Sequence, residues 1–267
     1  MISRLKDIHQ RLRRTLIRVG LRHVLVAYRN REVRAQDVML ASYPKSGNTW
    51  LRALIASAVV SNVSSFEDLS YCVPELELLS RKDAYKLDNG GRVIKTHEKW
   101  SPRYRSAIYL VRDVRNVAVS YFFHLKRVSQ FNGNFDAFIK AFADGRLDGY
   151  GAWSGHVDSW SASSLAYNKR LMVVRYEDLL RSPVQTLGQV MNFLGIQANL
   201  YTLILSVESN SIHNMRKMEM RSNIDHHDGI HFVRATNNTD WSTVIDSSHE
   251  RLLKSKMGRQ MDQFGYL

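Results

Sequence analysis

Three short stretches of this chain combine residue types that can hold an anion and move a proton. The first is Tyr43-Pro44-Lys45-Ser46-Gly47-Asn48-Thr49-Trp50. Gly47 lets the backbone come close to a bound anion. The N–H groups of Ser46 to Thr49 open a helix and point at that anion, and the helix dipole adds to the attraction. Lys45 brings a full positive charge, and the Ser46 and Thr49 hydroxyls bring further donors. The stretch therefore reads as a phosphate cradle. It is not a Walker loop, whose final Gly-Lys-Ser/Thr holds phosphates and Mg²⁺. Here the lysine precedes the glycine, and no acidic strand end offers a magnesium ligand, which argues against ordinary ATP hydrolysis. The plainer alternative is a strand–turn–helix connection that binds nothing.

The second stretch is Lys95-Thr96-His97. It ends a short β-branched run, and ligands of open α/β sheets bind at the carboxyl ends of strands. A single histidine is more often structural than functional. The lysine two residues before it supplies a cation to work beside a proton acceptor. The third stretch runs from Tyr109 to Tyr121. Arg112 can clamp a phosphate with two donors, and Ser120, one to two turns into the next helix, can donate to the same group. The competing reading is a surface ion pair from Arg112 to Asp113 or Glu177.

The elements that must position these residues follow from hydrophobic periodicity. Strands are expected at Asp37–Tyr43, Arg92–Thr96, Ala107–Val111 and Arg170–Arg175. Helices are expected at Thr49–Val60, Glu67–Ser80, Arg115–Val128, Phe135–Phe142, Gly151–Ser163, Pro183–Leu194 with Gly195 closing it, and Ser248–Phe264. Short apolar strands alternating with helices imply an α/β fold, a central parallel sheet flanked by helices.

The chain has 267 residues, 44% of them hydrophobic and 24% charged. That is enough for a large domain with a real core, and it excludes a disordered or fibrous chain. The formal net charge of +13 favours anionic partners without choosing among them. Cys72 is the lone cysteine, so no internal disulfide forms, and no Cys/His set has zinc-ligand spacing; no metal is expected. A reducing, cytoplasmic setting fits. No zinc-finger or RNP-type motif points to nucleic acid.

Residues 1–36 stand apart, with ten Lys or Arg against two acids, a surplus of +8. Leu5, Ile8, Leu12, Leu16 and Val19 recur at helical spacing, which predicts a basic amphipathic arm ahead of one domain over 37–267. The arm reads either as an anchor at the inner membrane face or as a helix packed on the domain. Val19 to Val26 is broken by Arg22 and His23, so no signal-peptide core is expected. No run reaches the roughly 20 apolar residues that span a bilayer. Met215, Met218 and Met220 are read as packing residues.

Together the three stretches resemble the sulfotransferase family that uses 3′-phosphoadenosine 5′-phosphosulfate (PAPS). Its 5′-phosphosulfate loop is similar to Tyr43 to Trp50, its Lys-Thr-His strand end to Lys95-Thr96-His97, and its 3′-phosphate motif to Arg112 through Tyr121. Arg175-Tyr176-Glu177-Asp178-Leu179 is similar to a further family segment, whose tyrosine lies near the adenine. The likeness runs in order from about Val38 to Tyr266. Val114 stands where the family has proline and Asn116 where it often has aspartate. The family's Arg-Lys-Gly…Gly-x-Trp loop becomes Arg234-Ala235-Thr236-Asn237-Asn238-Thr239-Asp240-Trp241, without the lysine and both glycines.

The resemblance implies a P-loop NTPase-like three-layer sandwich and transfer of a sulfuryl group from PAPS to a hydroxyl or amine acceptor, without a metal. It implies His97 as general base, with Lys45 and Lys95 meeting the charge on the leaving phosphate. Lys45, Ser46, Gly47, Asn48, Thr49, Trp50, Arg112, Ser120, Tyr176 and Arg234 would hold PAPS. The acceptor could be a small molecule, a glycan or a lipid. Two other functions fit parts of the pattern: a P-loop nucleotide or small-molecule kinase, and a non-enzymatic basic protein of membrane surfaces. The missing Gly-Lys-Ser/Thr ending opposes the first, and deletion of residues 1–36 tests the second.

Overall fold

The run Val38-Met39-Leu40-Ala41-Ser42 is apolar on both faces, which suits a strand covered on two sides. It forms β1 near the middle of a parallel sheet in a computed structural model. The structure describes residues 22–60, 63–76, 84–222, 231, 233 and 241–267. The other strands are β2 (Val93–Thr96), β3 (Ser106–Val111) and β4 (Leu171–Arg175), in the order β2-β1-β3-β4. Ala41 lies opposite Thr96 on one side and Tyr109 on the other, and Val111 lies opposite Arg175. The carboxyl ends of the strands therefore share one edge, where Ser42, His97, Arg112 and Tyr176 follow them.

Helices cover both faces. The described ones are α1 (Arg22–Arg29), α2 (Asn48–Val59), α3 (Phe66–Cys72), α4 (Val114–Arg127), α5 (Phe135–Ala143), α6 (Trp153–Ser161), α7 (Ser164–Tyr167), α8 (Tyr176–Arg181), α9 (Pro183–Phe193), α10 (Leu200–Ser209), α11 (Ile212–Arg221) and α12 (Ser247–Gln263). Strand side chains alternate between the two covers. Met39, Ala41, Ala107 and Tyr109 pack with α4, α5, α6 and α12. Val38, Leu40, Ile108 and Leu110 pack with α2, α3, α9, α10 and α11. The result is the expected three layers.

Two expected helices differ in extent, and one short helix was not expected. The helix expected over Glu67–Ser80 ends at Cys72; a Ser65–Asp68 capping box starts it, and Pro74, which lacks the N–H a helix needs, sits just beyond its end. The helix expected from Gly151 begins at Trp153, because Gly151 has a left-handed φ of 77°. The short α8, directly after β4, was not foreseen. Gly195, with φ 74°, does follow the end of α9. Met215 and Met218 are buried, while Met220 is exposed.

Residues 1–21, most of the basic arm, lie outside the described residues. Its end is seated on the domain. Leu25 and Arg29 are buried, Arg29 lies 3.8 Å from Glu98, and the Tyr104 hydroxyl donates to the Asn30 side chain at 2.8 Å. Among the described residues no helix is long and apolar enough to cross a membrane.

Candidate functional site

The Lys45 turn owes its shape to two left-handed residues, Lys45 at φ 69° and Gly47 at φ 96°. Glycine is required at 47 for a second reason. A Cβ there would stand 2.4 Å from Cδ2 of Tyr176, far inside van der Waals contact. Gly47 caps α2 with no side-chain hydrogen bond to the first turn, which leaves backbone donors at the helix start for an anion. The Ser46 hydroxyl is fully buried and has no partner among the described residues. An orphaned buried hydroxyl is costly unless a ligand supplies its acceptor. That orphan and the glycine cradle fit a phosphate group.

Asn48 braces the turn. Its side-chain amide donates to the Leu40 carbonyl at 3.2 Å and to the Ser42 hydroxyl at 3.1 Å, which ties the turn back onto β1. Thr49 follows in the first turn of α2 and is half-buried.

Arg112 joins this turn rather than an acid. It donates to the Lys45 carbonyl at 3.3 Å, and its guanidinium lies 4.3 Å above the Tyr176 ring. The ion pair considered for Arg112 goes to its neighbour: Arg115 holds Asp113 at 2.7 Å. Glu177 accepts from the Asp113 N–H at 3.0 Å and from the Tyr266 hydroxyl at 2.9 Å. Arg112 is thus left facing the turn, with a buried Nε that has no partner among the described residues. Trp50 stands edge-on to Tyr176 at 5.9 Å and donates to the Asn210 carbonyl at 3.1 Å. Ser120 lies in the second turn of α4, half-buried. Arg234 lies outside the described residues.

His97 sits at the end of β2. Its Nδ1 lies 2.8 Å from the Ser42 carbonyl oxygen and 3.3 Å from the Ser42 hydroxyl. A carbonyl only accepts, so Nδ1 carries the proton and Nε2 keeps a lone pair. Burial, reinforced by the Lys95 ammonium, holds the imidazole pKa well below its usual value, so the ring is neutral near neutral pH. The His97 carbonyl accepts from Nε2 of His156 at 3.1 Å, which leaves His156 Nδ1 to accept from the Tyr109 hydroxyl at 3.0 Å. Tyr150 packs edge-on to His97 at 6.0 Å.

Lys95 is held by Glu75 at 3.0 Å, and Glu75 also takes Arg52 at 3.0 Å. The Lys95 ammonium, with Arg52 helping, keeps the Glu75 carboxyl ionised far below the usual carboxylate range.

Lys45, Ser46, Gly47, Arg112 and Tyr176 are brought together, with His97 bolted to the strand that enters the turn. Sequence reasoning missed Glu75, Tyr150 and His156. Each lies far along the chain from the residue it serves and carries no motif of its own. The one available signal was for Glu75, an acid placed directly after a helix-stopping proline. Among the described residues no group of His, Cys, Asp or Glu could hold a metal ion.

Residues 35–265 match the family model described as Sulfotransferase domain. Sulfotransferase 1A1 of Canis lupus familiaris is 24% identical over 262 residues, covering 88% of this chain and 86% of its own. Sulfotransferase 1E1 of Cavia porcellus is 30% identical over 187 residues, 61% of this chain and 60% of its own. Among solved structures, mouse sulfotransferase SULT7A1 complexed with PAP has a TM-score of 0.66 at 23% identity, covering 90% of this chain and 93% of that one. A retinol dehydratase in complex with retinol and PAP has a TM-score of 0.66 at 20% identity, covering 86% and 82%. The fold is therefore the P-loop NTPase-like fold of these proteins.

Proposed function

This chain belongs to the sulfotransferase family and is a PAPS-dependent transferase, and on that premise we propose that transfer takes place between the Lys45 turn and His97. One observation carries this reading: the Nδ1 proton of His97 is spent on the carbonyl of Ser42, the residue that leads into the anion turn. The lone pair of Nε2 and the phosphate cradle are thereby fixed to the same strand end.

PAPS supplies an activated sulfuryl group whose bond to the 5′-phosphate breaks as the acceptor attacks sulfur. His97 Nε2 takes the proton of the acceptor hydroxyl or amine, and its low pKa keeps it ready to do so. The Ser46 hydroxyl and the N–H groups at the start of α2 bind the 5′ end. Lys45 meets charge as it grows on the leaving phosphate. Lys95, already held by Glu75, sets the field around His97 more than it reaches a ligand. Arg112 and Ser120 hold the 3′-phosphate, with Asn48 and Thr49 shaping the turn. Trp50 and Tyr176 offer aromatic faces to the adenine. Arg234, outside the described residues, is the remaining residue assigned to PAPS binding by its motif position.

The acceptor is a small molecule with a hydroxyl or amine; the neighbour solved with retinol and PAP supports that class. A glycan or lipid acceptor is the second reading, favoured by the basic arm. The arm over 1–36 and a single catalytic domain over 37–267 are supported by the start of the family match at residue 35. A cytoplasmic setting, with peripheral contact at the inner membrane face through the arm, is consistent with the lone buried Cys72.

Titration of the purified protein with adenosine 3′,5′-bisphosphate (PAP) and with AMP tests the reading. PAP binds more tightly. No affinity for PAP overturns it.

A further inference from the structure

Resting on that reading, we propose that Lys99 selects an acceptor carrying a carboxylate or phosphate close to the hydroxyl or amine that faces His97. Lys99 follows His97 by two residues, and its Nζ lies 3.6 Å from where a Cβ would stand on both Gly151 and Gly155. No side chain at either position covers the ammonium. This glycine shelf is fixed to the site at its Gly151 end by two contacts. The Gly151 carbonyl accepts from the Tyr43 hydroxyl at 2.9 Å, beside the anion turn. Tyr150, the residue before the shelf, packs edge-on to His97.

The charges and donors around this shelf lack a counterpart. Lys95 is neutralised by Glu75, whereas Lys99 has no polar partner among the described residues. The first turn of α6 carries no acid. Asp148, the nearest acid before Gly151 in the chain, accepts from the Tyr121 hydroxyl and from the Tyr150 N–H. Trp100, the residue after Lys99, and Trp153, between the two glycines in the chain, both have buried indole N–H groups with no acceptor among the described residues. A neutral acceptor leaves the ammonium without an anion, and a cationic one is repelled. An anionic group supplies what the neighbourhood lacks, and its pairing with Lys99 is a charge-assisted bond.

The test uses 4-hydroxyphenylacetate, its neutral methyl ester and 4-hydroxyphenyl phosphate, titrated by calorimetry into protein saturated with PAP. The wild type is expected to bind at least one of the two anions roughly tenfold more tightly than the ester, and the tighter anion tells carboxylate from phosphate. Lys99→Met removes that preference, Lys99→Glu reverses it, and PAP affinity stays unchanged in both. Lys99 is exposed, so neither variant disturbs the core. Equal binding of acid and ester, a preference that survives Lys99→Met, or no measurable binding of either anion overturns the proposal. Loss of PAP binding by the wild type instead overturns the transferase reading beneath it.

Discussion

Nδ1 of His97 lies 2.8 Å from the carbonyl oxygen of Ser42, so the proton of the imidazole is committed to the strand that leads into the anion turn. His97→Ala removes the lone pair on Nε2 and the hydrogen bond to Ser42 but leaves every donor of the anion turn in the chain. Turnover is expected to fall roughly a hundredfold or more, as for loss of a general base. PAP affinity, read by calorimetry, stays within a small factor of the wild type. Normal turnover in the variant removes His97 from the mechanism.

The pH profile follows from the same ring. Its folded-state pKa is lowered, by burial first and by Lys95 second. A base with a lowered pKa stays deprotonated as pH falls through the ordinary imidazole value of about 6.5. The acid limb of kcat/KM is therefore expected below that value. Lys95→Met takes away a positive charge that disfavours the imidazolium and leaves the Glu75 carboxylate, which favours it. Losing the cation raises the pKa and the retained carboxylate does not oppose that, so the acid limb moves to higher pH. A limb that stays in place would show that Lys95 does not act on His97.

Much of this site was legible because its chemistry is local in the chain. Lys45 to Thr49 announce a cradle by residue type alone, and Lys95 and His97 sit at a strand end that periodicity predicts. The strands were readable for a similar reason: the central β1 and β3 are apolar on both faces, as strands covered by helices on two sides must be, and the edge strands β2 and β4 are short apolar or β-branched runs. What could not be read were partnerships that depend on the way the sheet closes. Arg112 was weighed against Asp113 and Glu177, yet Arg115 takes Asp113, and Glu177 caps the Asp113 N–H. Glu75 reaches Lys95 only because the chain after α3 runs beside β2. His156 holds the His97 carbonyl from another helix altogether.

Arg112 is the residue that should tell PAP from AMP. Its guanidinium is oriented from two sides, by the Lys45 carbonyl and by the Tyr176 ring, and its own acidic neighbours are occupied. Arg112→Ala is expected to weaken PAP binding by about a hundredfold, the scale of a lost bond to a charged group. AMP, which lacks the 3′-phosphate, loses far less. Calorimetry with both nucleotides reads the difference, and equal losses would place the 3′-phosphate elsewhere.

Gly47 tests the cradle itself. Alanine at 47 meets two obstacles. The backbone there has φ 96°, a left-handed conformation that costs an L-residue on the order of 1 to 2 kcal/mol. The added Cβ also runs into Tyr176, 2.4 Å away. The ring can yield only by giving up its place under Arg112 and beside Trp50. Gly47→Ala is thus expected to lower the melting temperature and to abolish measurable PAP binding together. Gly47→Ala combined with Tyr176→Ala separates the two causes. The double variant relieves the clash but keeps the backbone cost, so its melting temperature should recover in part. If the single variant melts and binds PAP like the wild type, the close approach of Tyr176 to the turn is not a feature of the protein in solution.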